Sequence, residues 1–446
     1  MTATGRLTDI CFLSADNAGP AEMQRARLCL LDWLGVTIAG AQEPVVRILA
    51  MDAAADALDR GQRLIGRNEV TGLRDAALVN GAAGHALDYD DGMPLMMGHP
   101  SVAIIPALLA LAVDHAINAD RLLRAIVCGA EAAGRIGLMI GSDHYARGFH
   151  CTGTVGALAG TMAAAFLFSL PKYQVAHALG LAGTRAAGLR ASFGSDAKPL
   201  HAGWAAQIAL TSVQWAAKGM TGAADIMGSQ QGFAGPLSTN AEAARGLEEV
   251  ETPFLHSITF KAHAACAVTH PAIDATAAIL NEGCVSAGNV AAIVVQIASG
   301  ADSICNIATP KSGLELKFSV RAVVAMTLLG IDTANPSSYS DALATDADLL
   351  SLIALTEVHL VPDFDLGMTD IKIGLVDGRV FQRQVGFDFV SDSAELSEML
   401  SNKFLSLAAP VIGESAAEKC RAMIVEPNSN FSARALLELA GPARAS

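Results

Sequence analysis

The sequence predicts a mainly α protein with a large all-helical domain and a smaller α+β domain. Two observations predict this class. Apolar residues recur at helical spacing through an alanine-rich first half, from Glu22 to about Gly222. After about Thr269 the pattern changes to short β-branched and alternating segments, with helical segments between them.

The first half contains apolar segments long enough for several helices. The spacing predicts helices over 25–39, 74–86, 101–115 and 120–137. Residues 151–171 carry no charge, so a membrane span has to be considered. Their glycine, threonine and serine content and the lack of an aromatic belt favour a helix buried on all sides instead. We therefore expect no contact with a membrane.

The second half predicts a small sheet with helices packed on it. Residues 289–299 have the β-branched composition of a strand, and 370–389 alternate around Asp377-Gly378, a strong hairpin signal. Helical spacing returns at 319–329, at 341–354 and in a last segment, 395–439, which could pack on the first domain. The predicted domains are therefore 1–269, completed by about 405–446, and 270–404.

Composition excludes some classes of function. The chain has 446 residues, of which 52% are hydrophobic and 17% charged, so it can bury the cores of two domains. The formal net charge of -14 opposes nucleic-acid binding. Eight cysteines show no metal-ligand spacing, and we expect them to be buried and reduced. The first residues do not have the pattern of a signal peptide, so we expect a cytoplasmic protein.

A basic residue precedes the predicted start of three helices. These residues are His99, His150 and Lys198. The N-terminus of a helix offers free N–H groups and positive potential, so a cation there is unfavourable unless an anion is also bound. The three places together indicate a pocket for carboxylates. The alternative is that each residue is a surface cap or a packed histidine.

An acidic cluster lies at the end of a predicted helix. Asp88, Asp90 and Asp91 follow His85 closely, and such crowding of carboxylates raises one or more pKa values. The cluster could supply a general acid or base, hold a metal ion or orient a histidine. We expect no metal, because no second acidic cluster with ligand spacing occurs. A solvated helix end with capping aspartates is the remaining alternative.

Further groups able to exchange protons lie in two short segments, Tyr145–His150 and Lys261–His270. Lys198 and His201 are three positions apart and would share a helix face. Arg190 follows as a possible substrate ligand, although arginines in acidic proteins often form structural ion pairs. No dinucleotide, phosphate-loop, serine-hydrolase or zinc motif is present in the sequence, so we expect no cofactor.

Taken together, six short motifs resemble the MmgE/PrpD family along nearly the whole chain. They are Asp32-Trp-Leu-Gly35 through Gly40, Asn80-Gly81 with His85 to Asp91, Gly98-His99-Pro100-Ser101, Arg135-Ile-Gly137, Gly148-Phe-His150 with Gly153-Thr154, and Ser192-Phe-Gly194 with Lys198 to Gly203. The resemblance implies a helical domain with a smaller α+β lid, a homodimer and no cofactor. It also implies a small polycarboxylate substrate that reacts at the carbon next to a carboxylate, as in methylcitrate dehydratase, cis-aconitate decarboxylase and iminodisuccinate epimerase.

The family pattern also implies which residues act. It places Asp88, His99, His150 and Lys198 in the active site, with His201 and the segment Lys261 to His263 nearby. One difference concerns Gly92, which stands where the decarboxylase and several dehydratases carry a threonine. The hydroxyl missing at this position weakens the case for decarboxylation and for hydroxyl elimination.

Our leading hypothesis is an epimerase that resembles iminodisuccinate epimerase. Lys198 would serve one face of the stereocentre and Tyr145 or His150 the other, with His99 and Lys261 holding carboxylates. The remaining substrate-binding candidates are His201, His263, Asp91 and Arg190. The alternatives are a dehydratase of a methylcitrate-like acid, a decarboxylase of a cis-aconitate-like acid, or a non-catalytic binding protein that has kept the fold.

Overall fold

A computed structural model describes residues 1–55, 61–387, 393–427 and 429–443. The chain forms two compact units, Met1–Phe260 with Ala394–Ser446, and Lys261–Ser393. Most of the structure is helical and the sheet is small, which confirms the mainly α class. The domain limits taken from the sequence, 269/270 and 404/405, stay predictions.

The first unit is built from helices. Its α-helices are Ala3–Asp16, Pro20–Gly40, Pro44–Ala55, Leu73–Ala86, Ser101–Asp114, Ala119–Ile140, Ser142–Ala146, Cys151–Leu167, Lys172–Gly183, Ala197–Ala217, Ala234–Leu237, Ser393–Ile412, Glu414–Val425 and Ala433–Leu439. Single turns of 3-10 helix connect them at Pro94–Met96, Arg190–Ser192, Ala243–Leu247 and Phe254–Ser257. Each of the helices predicted in the first half is present, within a few residues at its ends.

The core of this unit surrounds the uncharged helix Cys151–Leu167, in which every residue is buried. It packs against Ser101–Asp114, Ala119–Ile140 and Ala197–Ala217. Its many Ala and Gly residues allow neighbouring helix backbones to approach closely. The burial expected from the sequence is thus observed.

Within the described ranges, no single helix combines the length and the apolar character needed to cross a bilayer. The bent pair Pro20–Gly40 and Pro44–Ala55 meets both conditions by length and composition alone.

One feature of the first unit differs from the expectation. It contains a short antiparallel pair of strands, Gln62–Arg63 and Val70–Thr71, so it is not entirely helical. Strands of two residues are too short to show the alternating pattern that marks a strand in a sequence. Gly66, with φ +68°, lies in the connecting turn.

The second unit contains a four-stranded mixed sheet. Its strand order is Thr356–Val361, Val290–Ala298, Thr369–Leu375, Val380–Val385. The first two strands pair in parallel and the remaining pairs are antiparallel. The hairpin around Asp377-Gly378 is present, and Gly378 has φ +89° in its turn. Residues 388–389 of the predicted segment lie outside the described residues.

Helices accompany this sheet in the second unit. The α-helices are His270–Asn281, Asp302–Cys305, Gly313–Leu316, Val320–Leu328 and Ala347–Ala354, and the 3-10 turns are Ala267–Thr269, Ala287–Asn289, Ser299–Ala301, Pro336–Ser338 and Leu343–Thr345. One expectation for this unit was wrong, because the Cys284 thiol is exposed rather than buried. It follows the end of His270–Asn281 in a surface loop, where no packing covers it. The other seven cysteines are buried and free.

The last helical segment returns to the first unit, as the sequence suggested. Lys403, on Ser393–Ile412, places its Nζ atom 2.7 Å from Asp32 Oδ1 and donates a 2.8 Å hydrogen bond to the carbonyl of Tyr89. Tyr89 belongs to the acidic segment that follows Leu73–Ala86. The helix Ser393–Ile412 therefore supports this segment.

Candidate active site

The close crossing of two helices positions the candidate site. A Cβ atom on Gly81, in Leu73–Ala86, would lie 2.9 Å from the Cα atom of Gly203, in Ala197–Ala217. A Cβ atom on Gly203 would lie 2.3 Å from the Leu78 carbonyl oxygen. Only glycine permits such an approach. The crossing brings the last turn of the first helix near the first turn of the second.

Lys198 and Asp88 form an ion pair at this junction. Lys198 Nζ lies 2.5 Å from Asp88 Oδ1, and the two side chains are only 12% and 11% exposed. Asp88 has φ +54°, a left-handed conformation that aspartate tolerates better than most residues. The ion pair holds one cation at the beginning of Ala197–Ala217, where the sequence predicted it.

Asp90 lies between two imidazoles. Its Oδ2 atom is 2.9 Å from His85 Nδ1 and 3.1 Å from His99 Nδ1. Burial alone would raise the pKa of Asp90, but the two neighbouring histidines hold it well below its ordinary value. His85 is fully buried, and this burial lowers its pKa to about 4. Asp90 is therefore a carboxylate and His85 a neutral imidazole at neutral pH.

These contacts also determine the tautomer of each ring. His99 Nδ1 lies 2.6 Å from the backbone oxygen of Asp91, which can only accept a hydrogen bond. His99 therefore carries a proton on Nδ1, and His85 Nδ1 likewise donates to the Asp90 carboxylate. The neutral ring of His85 then has its lone pair on Nε2. Within the described residues, His85 Nε2 is buried without a hydrogen-bond partner.

A second pair of imidazoles adjoins the first. His150 Nδ1 lies 3.1 Å from His201 Nδ1, and the His150 ring stacks on His85 with centroids 5.7 Å apart. Burial lowers the pKa of His150 strongly, and the neighbouring His85, Lys198 and other histidines add to this effect. Burial and Lys198 also lower the pKa of His201. Both rings are neutral near pH 7, so they can accept protons.

Asp91 takes a different position from its neighbours. Its carboxylate accepts hydrogen bonds from the Ser101 hydroxyl and, at 3.2 Å, from the Ser101 backbone N–H. It thereby satisfies the N-terminus of Ser101–Asp114, whose N-cap residue Pro100 provides no side-chain cap. Burial raises the pKa of Asp91 to about 8, and the nearby Asp32 and Asp90 add to this effect. The hydrogen bonds from Ser101 act in the opposite direction.

Tyr145 and Arg190 form a separate stack beside the imidazoles. The Arg190 guanidinium lies 4.0 Å from the centre of the Tyr145 ring and donates to the Tyr145 carbonyl at 3.1 Å. It is also 6.0 Å from the Phe193 ring, which packs edge-on against His150 with centroids 5.0 Å apart. Tyr145 is thus connected to the site through Arg190 and Phe193.

His85, Asp90 and His99 form a group that could in principle hold a metal ion. One ligand atom from each lies within 4.8 Å of the other two. Two histidines and a carboxylate are a known metal-binding combination. The Nδ1 atom of His99 is, however, engaged with the Asp91 carbonyl. We therefore interpret the three as a hydrogen-bonded network.

Comparison with known proteins gives the family. The MmgE/PrpD N-terminal domain matches residues 10–245, and the MmgE/PrpD C-terminal domain matches residues 263–426. This chain belongs to the MmgE/PrpD family. A cis-aconitate decarboxylase of Aspergillus terreus (strain NIH 2624 / FGSC A1156) is 25% identical over 98% of this chain and 96% of its own length. The cis-aconitate decarboxylase of Mus musculus is 26% identical over 87% of this chain and 83% of its own length.

Two further candidates, Lys261 and His263, lie in the second unit. His263 Nδ1 is 2.8 Å from Thr333 Oγ1, and its Nε2 is 3.2 Å from Asp274 Oδ1. The His263 and His270 rings meet edge-on with centroids 5.1 Å apart. Lys261 is buried at the beginning of the second unit. His263 is therefore held inside its own unit by specific contacts.

The structure of this MmgE/PrpD member brings together Asp88, His99, His150, Lys198 and His201 in the first unit. The sequence analysis did not select His85, Asp90 or Phe193 as site residues. His85 and Asp90 carried a signal, since both lie in the acidic cluster already singled out. Phe193 carried none of its own, because an aromatic residue in a loop has no distinguishing pattern.

Proposed function

We propose that this chain is a cofactor-independent epimerase that acts next to a carboxylate of a small amino-dicarboxylate such as iminodisuccinate. One observation carries the proposal. A neutral imidazole, His150, with a buried and unpartnered Nε2 atom, lies in the same site as the ion-paired cation Lys198. An epimerase needs a proton acceptor and a proton donor on opposite faces of one carbon.

The chemistry follows from these two groups. His150 Nε2 would take the proton from the carbon next to the carboxylate, and the electron pair would remain on the substrate as an enediolate. Lys198 would stabilise the developing oxyanion and return a proton from the other face. Tyr145, the other residue considered for the His150 face, is stacked under Arg190 and supports the site less directly.

Two helix N-termini favour a substrate with several carboxylates. Neither Cys151–Leu167 nor Ala197–Ala217 has a side chain capping its first N–H groups. Free N–H groups and the positive end of the helix dipole stabilise bound anions. Since His150 and Lys198 are located at these two ends, a carboxylate bound at either would lie beside a reacting group.

Gly92 bears on the type of reaction. A Cβ atom at this position would meet only Thr259 Oγ1, at 3.6 Å, so a side chain has room but is missing. The Thr259 hydroxyl itself donates a hydrogen bond of 3.2 Å to the Gly92 carbonyl. The site therefore has no hydroxyl donor on Gly92, which favours epimerisation over hydroxyl elimination.

A second candidate function is decarboxylation of a cis-aconitate-like acid. The observation in its favour is that relatives named cis-aconitate decarboxylase align with up to 98% of this chain. These relatives are 25% and 26% identical to this chain, which is too low to assign their substrate to it. Decarboxylation would need an acid that protonates the substrate carbon, and Lys198 is the cation held in the site.

Proton NMR in deuterated water tests both candidates. The protein is incubated with one substrate at a time, always in the presence of EDTA. The substrates are the iminodisuccinate stereoisomers, methylcitrate, citrate and cis-aconitate. We expect stereoisomers of iminodisuccinate to interconvert with deuterium entering the carbon next to the carboxylate. An alkene product or loss of carbon dioxide would establish a lyase and overturn the proposal. The Lys198→Ala variant should be inactive, and Lys172→Ala, which removes an exposed lysine, should match the wild type.

A further inference from the structure

We propose that His150 and His201 form a proton relay in which His150 accepts a proton from the reacting carbon on one ring nitrogen while a second proton leaves through His201. This inference rests on the proposed proton abstraction by His150. His201 would not touch the substrate. Its role would be to release one proton to water for each proton that His150 accepts.

The geometry of the two rings carries the inference. Their Nδ1 atoms are 3.1 Å apart and their centroids 5.3 Å apart. A hydrogen bond between two imidazole nitrogens requires one of them to be protonated and the other to carry a lone pair. The two neutral rings are therefore in opposite tautomers. When His150 is the Nδ1 donor, its Nε2 atom has the lone pair that a base needs.

The surroundings of His150 explain why a relay is needed. Lys198, His85 and His99 surround it with positive or potentially positive groups, and the side chain is buried. A positive charge on this ring is therefore strongly disfavoured. A base that cannot keep the proton as an imidazolium must pass a proton onward at nearly the same time.

The transfer balances without any further reactant. The substrate proton bonds to His150 Nε2, and the electron pair of the broken C–H bond stays on the substrate. The proton on His150 Nδ1 moves to His201 Nδ1, and His201 releases its Nε2 proton to water. Both rings end neutral, with their tautomers exchanged. After product release, water returns a proton to His201 Nε2, the His201 Nδ1 proton moves back to His150 Nδ1, and the His150 Nε2 proton replaces the one that Lys198 gave to the product.

The position of His201 suits the outer end of such a relay. It lies one turn into Ala197–Ala217, and its ring centroid is 6.0 Å from that of Trp204 on the same helix. Trp204 is 44% exposed, whereas His150 is 1% exposed. His201, itself only 5% exposed, therefore contacts both the buried base and a residue at the protein surface.

The His201→Asn variant tests the relay. Asparagine places an amide oxygen near the position of Nδ1, so it can still accept the His150 hydrogen bond but cannot pass a proton on. We expect turnover of iminodisuccinate to fall about 100-fold. We also expect the solvent deuterium isotope effect on kcat to fall toward 1, because no exchangeable proton then moves while the carbon–hydrogen bond breaks. His144→Asn, at a buried histidine bonded to Thr154, is the control and should keep the wild-type isotope effect.

A solvent isotope effect on kcat in His201→Asn equal to that of the wild type would overturn the relay, whatever the loss of rate. A measurement on the unmodified protein covers the case in which the variant does not fold. Nitrogen-15 NMR of histidine-labelled protein should show one ring of the pair protonated on Nδ1 and the other on Nε2. Two rings both protonated on Nε2 would also overturn it. Inactivity of the wild type on every substrate would instead overturn the proposed function, and the nitrogen spectra would still test the relay.

Discussion

Lys198 Nζ lies 2.5 Å from Asp88 Oδ1, and neither side chain is more than 12% exposed. Asp88 takes up this position with a left-handed backbone, φ +54°. The pair holds a cation at the N-terminus of a helix, where a lysine is otherwise unfavourable. The Asp88 carboxylate supplies the compensating charge.

Removal of this cation should abolish activity. Lys198→Ala is expected to lower kcat/KM at least 100-fold, because a proton-transfer group contributes about this much or more. The measurement is the initial rate on whichever substrate the NMR panel identifies. Asp88→Asn keeps a residue that tolerates the left-handed backbone but leaves Lys198 without its carboxylate, so it should lower the Tm and lose activity. Retention of more than about a tenth of the rate in Lys198→Ala would remove this residue from the mechanism.

Asp90 should act as a positioning residue. Asp90→Asn removes the charge that holds His85 and His99 in their tautomers, and we expect kcat to fall about 10- to 100-fold with a small change in KM. Asp114→Asn, at an exposed aspartate beside His115, is the matched control. Equal changes in kcat and KM, or a wild-type kcat, would argue against positioning.

Stability should fall as the solution becomes acidic from pH 6.5 toward pH 4.5. The pKa values of His85, His150 and His201 are lowered on folding, so below about 6.5 the unfolded chain binds protons that the folded protein does not. Asp91, whose pKa is raised to about 8, has the opposite effect on stability, because in this pH range the folded protein binds one proton there that the unfolded chain does not. Three histidines against one aspartate leave a net loss of stability.

Urea unfolding at a series of pH values checks this sign. The contribution of the three histidines to the free energy of unfolding should be fully present above pH 6.5 and decrease below it. His115→Gln, at a partly exposed histidine, should leave the dependence unchanged. A free energy of unfolding that is constant or rises from pH 6.5 to pH 4.5 would contradict the assignment of neutral buried imidazoles.

Lys403 should be important for stability as well as for the site. Lys403→Met leaves the Asp32 carboxylate buried without this cation, which typically costs about 3–5 kcal/mol. The double variant Asp32→Asn with Lys403→Met should recover part of this loss, as chemical denaturation would show. Lys419→Met, at an exposed lysine, is the control. A single variant as stable as the wild type would show that the ion pair contributes nothing net.

The glycine crossing gives a steric prediction. Gly203→Ala places a Cβ atom 2.3 Å from the Leu78 carbonyl, so two helices must separate. We expect a loss of about 1–3 kcal/mol and a lower kcat, because Lys198 and His201 lie on the displaced helix. Gly288→Ala, where nothing lies within 4 Å, should be neutral. Equal Tm values for the two variants would mean that the crossing is not tight.

Much of the fold could be predicted from local patterns. The helix Cys151–Leu167 and the hairpin around Asp377-Gly378 follow from hydrophobic periodicity and turn chemistry, which depend on neighbouring residues. The strands Gln62–Arg63 and Val70–Thr71 could not be predicted, since so short a pair shows no period.

Within the site, the sequence by itself determined that a lysine, several histidines and three aspartates would lie at helix ends in the first unit. Only the tertiary structure decided how they pair: Lys198 with Asp88, His85 and His99 with Asp90, and Asp91 with Ser101. Partners such as Asp88 and Lys198, or Asp91 and Ser101, come from different helices or loops. Protonation depends on burial and on such partners, and neither can be read from neighbouring positions in the chain.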